Sequence, residues 1–202
     1  YKDEVQQKQT YYFSIEFLHG KMLKSNLLNL GILATCRDGL ADLGIDLEKV
    51  AQIEPDMAIG NGGLGRLASC FMDSAASTGF PVNGNGIRYR YGLFKQKIID
   101  GYQVELPDSW LNNVNPWEVR RADKAIEVTF GGEAWLEEDE VGHLIPRYRN
   151  QERVLAVPYD TPMVGFENTR VNNMCLWHSE VPQDLDVKFQ NMEYMNQTSM
   201  LS

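Results

Sequence analysis

The residues of this chain best suited to chemistry are the glycines of Gly60-Asn61-Gly62-Gly63-Leu64-Gly65, whose spacing is Gly-x-Gly-x-x-Gly and which run straight into helix-forming sequence. Glycines let a backbone approach a ligand closely, and the unpaired N–H groups and positive dipole end of a following helix point at it. The chemistry this favours is the holding of an anion, above all a phosphate. Dinucleotide sites share the spacing, but they want a longer strand before the loop and an acidic residue about 20 positions on for the ribose. Here that stretch reads Asn83-Gly84-Asn85-Gly86-Ile87-Arg88-Tyr89-Arg90, without an acid. Arg88 or Arg90 leaves room for a 2′-phosphate, so an NADP-binding oxidoreductase domain stands as one alternative. A non-catalytic sugar-binding or assembly module, its glycines serving packing alone, is another. No Gly-Lys-Ser/Thr follows the loop, which excludes a Walker A site.

Glu16 is the next candidate, because it interrupts the aromatic and β-branched run Tyr11-Tyr12-Phe13-Ser14-Ile15-Glu16-Phe17-Leu18. A carboxylate on a buried strand needs a partner or ligand to offset its burial, and a sugar hydroxyl is one such ligand. Outward exposure, or pairing with Lys21 or an arginine, is the structural alternative. His19 has no neighbouring Ser or Cys nucleophile and makes no triad. Cys175 and His178 are three apart, but no second pair completes a tetrahedral metal site. Trp110, Trp117, Trp135 and Trp177 suit either sugar stacking or a core. Arg120-Arg121 and Arg147/Arg149 read as solvated or subunit-facing.

The elements that must position these residues follow from pattern. The run Tyr11–Leu18 reads as a buried strand ended by Gly20. Leu23, Leu27, Leu30, Leu33, Leu40 and Leu43 recur at helical spacing and predict one or two helices closed by Gly44. Asp46 is placed to cap a short helix through Glu54 that Pro55-Asp56 ends. Leu64, Leu67, Ala68, Phe71, Met72, Ala75 and Ala76 form a full apolar helix stripe, so the glycine loop feeds a helix N-terminus. Beyond Val82 short β-like runs follow: 87–91, 93–99, 102–106, 125–130, 154–158 and 171–177, with Asp100-Gly101 and Gly131-Gly132 as hairpin signals. The second half therefore reads as a β meander. The run Glu137-Glu138-Asp139-Glu140 reads as a solvated turn.

Composition excludes several function classes. The 202 residues are 43% hydrophobic and carry 28 Asp and Glu against 19 Lys and Arg, a formal charge of -9. A folded core is expected, and an acidic chain repels phosphate backbones and acidic lipid, so neither nucleic acid nor a membrane surface is an expected partner. The 3 cysteines are too few for a disulfide framework and fit a reducing, cytoplasmic setting. No apolar run reaches the ~18–20 residues that cross a bilayer, and Tyr1-Lys2-Asp3-Glu4 has no signal-peptide layout. With no initiating Met and an end at Met200-Leu201-Ser202, the chain is expected to be cut from something longer.

A set of segments then carries a resemblance: Tyr11-Tyr12-Phe13-Ser14-Ile15-Glu16-Phe17, Gly60–Ala68, Gly86-Ile87-Arg88-Tyr89, Asn115-Pro116-Trp117-Glu118, Pro158-Tyr159-Asp160-Thr161-Pro162 and Leu176-Trp177. In this order they resemble the N-terminal part of the α-glucan (glycogen, starch, maltodextrin) phosphorylases, of bacterial type. The resemblance implies an α/β fold, part of the N-terminal Rossmann-like lobe of a two-lobed GT-B glycosyltransferase with a β-rich second half. It implies an incomplete N-terminal domain over 1–202, with a helical and glycine-loop part at about 11–80 and a β-rich part at about 81–180, the C-terminal catalytic lobe missing. The implied reaction cleaves terminal glucose from α-1,4-glucan with inorganic phosphate, giving glucose 1-phosphate with retention. The implied cofactor is pyridoxal 5′-phosphate, acting through its phosphate group.

By motif position, Gly62 and Gly63 would contact substrate phosphate through backbone amides, and Gly63 would also lie near the cofactor phosphate. Glu16, Asn61 and Leu64 would line the glucosyl pocket. Leu18 stands where animal members often carry a tyrosine touching the cofactor, and Lys21 where arginine is common. The cofactor lysine and catalytic histidine of the family would lie beyond residue 202, so the isolated chain is expected to be inactive, with no residue of it assigned to catalysis. The N-terminal region that carries phosphorylation and part of the nucleotide site in animal members is expected to be absent or unlike here, so the resemblance does not extend to phosphorylation or AMP control. A homodimer is implied for the complete enzyme.

Overall fold

The computed structural model describes residues 8–112 and 115–182. Along the chain run β1 (Thr10–Phe13), α1 (Leu23–Asn29), α2 (Leu33–Asp42), α3 (Leu47–Ile53), α4 (Gly63–Ser77), β2 (Val82–Ile87), β3 (Gly92–Ile99), β4 (Tyr102–Asp108) and β5 (Val119–Arg120). Then come β6 (Ile126–Phe130), β7 (Glu133–Glu138), β8 (Leu144–Arg149), β9 (Glu152–Val164) and β10 (Val171–Glu180). Two compact units divide this chain: one runs to Arg120 and takes in Tyr159–Trp177, the other holds Arg121–Pro158 and resumes at His178.

The first unit is built on a mixed sheet in the order β1-β2-β10-β9-β5. β1 pairs parallel with β2 (Thr10↔Val82 to Phe13↔Asn85), β2 pairs parallel with β10 (Asn83↔Asn173 to Ile87↔Trp177), and β5 runs antiparallel to β9. Its core gathers Phe17, Met22, Met57, Ile59, Ala68, Met72, Trp110, Met163, Met174 and Leu176. β2 reads Val-Asn-Gly-Asn-Gly-Ile, a poor strand by propensity. Its glycines are there for close packing: a Cβ at Gly84 would lie 3.1 Å from Met72 Sδ, and one at Gly86 would lie 2.8 Å from Phe17 Cε2. Packing thus overrides propensity, and the strand falls on 82–87 rather than on 87–91.

The helices follow the leucine spacing closely. Gly31 (φ +71°) breaks the predicted helical stretch into α1 and α2, and Asp46 caps α3 by accepting from Glu48 N–H at 2.9 Å. Glu54, just past α3, accepts from the N–H groups of Met22 (2.8 Å) and Leu23 (3.1 Å) and from Trp117 Nε1–H (2.7 Å). A carboxylate distant in sequence thereby caps α1, whose own N-cap, Met22, makes no side-chain cap. Arg88 forms a bidentate pair with Glu118, Nε–H to Oε2 at 2.9 Å and Nη2–H to Oε1 at 2.6 Å, and lies 3.8 Å over the Tyr159 ring.

In the second unit β6 runs antiparallel to the first part of β9 (Ile126↔Ala156 to Phe130↔Glu152), and β7 and β8 form a separate hairpin. Gly131 (φ +62°) and Gly132 (φ +79°) do make a positive-φ turn, but β6 and β7, which it joins, do not pair with each other. It is therefore no hairpin turn, unlike Asp100-Gly101 (φ +51° and +81°), which closes β3 against β4. The acidic run is only half a turn: Glu137 and Glu138 end β7, and the turn begins at Asp139, which accepts from Val141 N–H and His143 N–H. That network holds the Asp139 carboxyl below its usual range, the His143 amide contributing most. Arg147 pairs with Glu137 and Arg149 with Glu133.

Candidate functional site

The strand expected over Tyr11–Leu18 stops at Phe13, so Glu16 does not sit on a strand at all. Ser14 ends it locally: its Oγ–H donates to Glu16 O at 2.6 Å and its Oγ accepts from Glu16 N–H at 3.3 Å, a turn that competes with the ladder. The following segment lies across the glycine loop instead. Phe17 N–H donates to Ile59 O (2.9 Å) and Leu18 N–H to Gly65 O (2.9 Å). The approach is so close at Gly60 that a Cβ there would stand 2.6 Å from Phe17 O.

This arrangement delivers the Glu16 carboxylate to the start of α4. Asn61 N–H donates to Glu16 Oε2 at 2.7 Å, and a Cβ at Gly65 would meet the Glu16 side chain at 3.1 Å. Glu16 therefore partners a backbone amide, neither Lys21 nor an arginine; Lys21 Nζ–H donates instead to Gln52 O at 2.8 Å. α4 opens with Gly62 as N-cap and no side-chain cap, and its first intrahelical bond is Arg66 N–H to Gly62 O. The N–H groups of Gly63, Leu64 and Gly65 thus have no intrahelical acceptor, and Gly63 and Leu64 are exposed. A Cβ at Gly62 or Gly63 would meet nothing within 4 Å. A cleft lined by Ile15, Glu16, Gly60, Tyr89, Tyr91 and Leu93 flanks the carboxylate.

The structure brings Glu16, Asn61 and Leu18 into one constellation with the loop, while Gly62, Gly63 and Leu64 face outward from it. The α4 stripe is split: Ala68, Met72 and Ala76 are buried, but Leu64, Leu67 and Phe71 are each about half exposed. Sequence reasoning passed over Gly60 and Gly65 as individual struts and Tyr89, whose hydroxyl donates to Ile15 O at 2.7 Å. The first and last glycines of the motif were the available signal for the struts.

Other candidates resolve into structure. Arg88 is paired with Glu118, and Arg90, the other candidate for a 2′-phosphate, lies 5.6 Å from the centre of the Tyr91 ring; nothing among the described residues supports an NADP-binding domain. Cys175 and His178 both lie on β10, where an odd spacing sends side chains to opposite faces. Trp110 Nε1–H donates to Tyr89 O and Trp177 Nε1–H to Asn85 Oδ1, both structural roles. His19 stacks on Phe17 at 5.9 Å, its Nε2 2.9 Å from Met174 Sδ.

Burial, with the Arg66 charge second, lowers the His19 pKa from 6.5 to about 4. Above pH 6.5 neither folded nor unfolded chain protonates this ring; as pH falls toward 4 the unfolded chain takes a proton that the folded chain refuses. Stability is therefore present above pH 6.5 and lost below it, by up to about 3 kcal/mol. His19→Leu is expected to flatten that part of a stability-against-pH curve relative to the parent, and parallel curves would show that the ring does not titrate this way.

A glycine loop opening a long helix beside a mixed sheet, with a carboxylate clasped on the loop, defines an α/β protein that offers backbone amides to an anion. A sequence model of the carbohydrate phosphorylases matches residues 40–201, and the chain belongs to that family. It is 54% identical over 173 residues to the glycogen phosphorylase of Bacillus subtilis (strain 168), covering 86% of this chain and 22% of that protein. Similarity extends to the glycogen phosphorylase of Saccharomyces cerevisiae, 46% over 206 residues (94% of this chain, 23% of that one). It extends also to the liver form of Bos taurus, 44% over 181 residues (90% and 21%). The chain thus spans about a fifth of the length of these relatives. Among the described residues no helix is long and apolar enough to cross a membrane.

Proposed function

We propose that this chain is the part of an α-1,4-glucan phosphorylase that carries its phosphate-holding loop. The observation that carries the reading is the uncapped N-terminus of α4, with the amides of Gly63 and Leu64 open and the loop fixed from behind by Glu16. In the proposed reaction the bond from C1 of the terminal glucose to the glycosidic oxygen breaks, a bond from C1 to a phosphate oxygen forms, and the departing oxygen takes a proton. Glucose 1-phosphate leaves with retention. The amides of Gly62 and Gly63 hold the phosphate oxygens in place as charge shifts toward an oxocarbenium-like transition state. Asn61, whose N–H holds the Glu16 carboxylate, and the exposed Leu64 border the glucosyl unit. Fixed amides cost no reorganisation during the reaction, which is why a rigid clasp behind the loop matters.

Pyridoxal 5′-phosphate, when bound, supplies a phosphate group as proton donor and acceptor. The open Gly63 amide fits a phosphate, and Leu18 offers an apolar contact without a hydroxyl. The chain is read as part of the N-terminal Rossmann-like lobe of a two-lobed GT-B enzyme, a cytoplasmic homodimer when complete. Support for an incomplete N-terminal domain over 1–202 comes from apolar surface left open: Phe13, at the end of β1, is 78% exposed, and Leu64, Leu67 and Phe71 on α4 are about half exposed. The full-length enzyme, given maltodextrin and inorganic phosphate, is expected to release glucose 1-phosphate. Dinucleotide-dependent redox chemistry without glucan cleavage would overturn the reading.

A further inference from the structure

The turn that carries Glu16 to the glycine loop has little burial of its own. The Ile15 side chain at its centre is 64% exposed, so hydrogen bonds rather than packing of that side chain hold it. Ser14 supplies two from within, one to Glu16 O and one from Glu16 N–H. A third comes from beyond the end of β2, where the Tyr89 hydroxyl, 74 residues further along the chain, donates to Ile15 O at 2.7 Å. Tyr89 is itself fixed. Its carbonyl accepts from Trp110 Nε1–H at 3.0 Å, and Trp110 is a core residue, 9% exposed, in the turn Trp110–Asn112 past β4. The Tyr89 side chain packs against the same core, and the neighbouring Arg88 is tied through its N–H to Trp177 O at 3.0 Å and through its guanidinium to Glu118.

A hydroxyl on so rigid a post holds its acceptor in one place, and what it holds here is the backbone one residue before Glu16. From Tyr89 the contacts pass through Ile15 to the Glu16 carboxylate and on to the Asn61 amide, 2.7 Å from Glu16 Oε2. We infer that Tyr89 is a positioning residue for the glycine loop: its hydroxyl sets the Glu16 carboxylate on the Asn61 amide, and so keeps the loop in the form that receives phosphate. This role rests on the phosphate-holding reading of the loop. The hydroxyl is spent on Ile15 O, so its part is separate from any contact of the ring with a ligand in the cleft that Tyr89 and Glu16 both line. Where only a fraction of molecules holds the receptive form, apparent affinity falls by that fraction. Losing the tether removes one hydrogen bond between neutral groups, enough for a shift of about three- to ten-fold in that balance.

Tyr89→Phe removes the hydroxyl and keeps the ring, so thermal unfolding is expected to match the parent's. In the full-length enzyme, exchange of the Asn61 amide with deuterated solvent, followed by mass spectrometry with residue-resolving fragmentation, is expected to quicken about three- to ten-fold. The KM for inorganic phosphate should rise with it, by up to the same factor. In a Glu16→Ala background, where no carboxylate reaches the amide, Tyr89→Phe should change neither quantity further. Asn61 exchange equal to the parent's, a phosphate KM equal to the parent's, or the same shifts in the Glu16→Ala background would overturn the inference. A parent enzyme that releases no glucose 1-phosphate, while its Asn61 exchange still depends on Tyr89, would overturn the phosphorylase reading instead and leave the hold on Glu16 in place.

Discussion

Replacing Gly60 with alanine is expected to destabilise the chain by about 3 kcal/mol or more and to abolish phosphate binding with it. The new Cβ would stand 2.6 Å from Phe17 O, 2.7 Å from Phe17 C and 2.8 Å from Leu18 N, all backbone atoms that no rotamer change can move aside. The clash falls beside the pairing of Phe17 N–H with Ile59 O, so relief means parting the two segments. Parting them withdraws Glu16 from the Asn61 amide and frees the loop that the clasp fixes. Chemical denaturation measures the first effect and phosphate titration the second. A variant within about 0.5 kcal/mol of the parent would mean that the approach at Gly60 is not tight.

The second large effect is expected at Glu118. Its side chain is 9% exposed and that of Arg88 11%, so truncation to alanine leaves a guanidinium buried without its carboxylate, a loss of about 3–5 kcal/mol. Replacing both partners with apolar residues of similar volume should recover much of that, because two desolvation costs vanish together. Unfolding of the single and double variants gives the coupling directly. Additive losses would show that the pair is not a unit and that Arg88 is held by other contacts, such as the Tyr159 ring 3.8 Å below it.

Local signals carried much of this fold. The leucine spacing, the Asp46 cap and the turn at Asp100-Gly101 each act within a few residues, and each element stands where its pattern predicts. Long-range features were hidden. β2 carries a glycine-rich sequence because Phe17 and Met72 crowd it, and nothing within residues 82–87 announces those neighbours. Glu54 capping α1, and Arg88 bound to Glu118 rather than to a ligand, are likewise contacts between distant segments. At the site the glycine loop was legible from spacing, and Glu16 stood out as a carboxylate among apolar neighbours. Its partner was not legible: the Ser14 turn that ends β1 is what carries Glu16 onto the Asn61 amide. The apolar stripe on α4 reads as one covered face, but only Ala68, Met72 and Ala76 are buried, while Leu64, Leu67 and Phe71 are about half exposed.

The central claim is that the loop at the head of α4 holds phosphate, and Gly63→Ala tests it most directly. A Cβ at Gly63 meets nothing within 4 Å and the backbone there is one that alanine adopts without strain, a kind of site where Gly→Ala stabilises by about 0.4–1 kcal/mol. The substitution should therefore leave stability unchanged or slightly raised, while the methyl group stands where a phosphate oxygen would approach the amides. In the full-length enzyme the account predicts an apparent phosphate affinity lowered at least about ten-fold, roughly 1.4 kcal/mol, with unfolding unimpaired. Phosphate affinity and glucose 1-phosphate release equal to the parent's would contradict it, and would leave the glycines of the loop to packing alone.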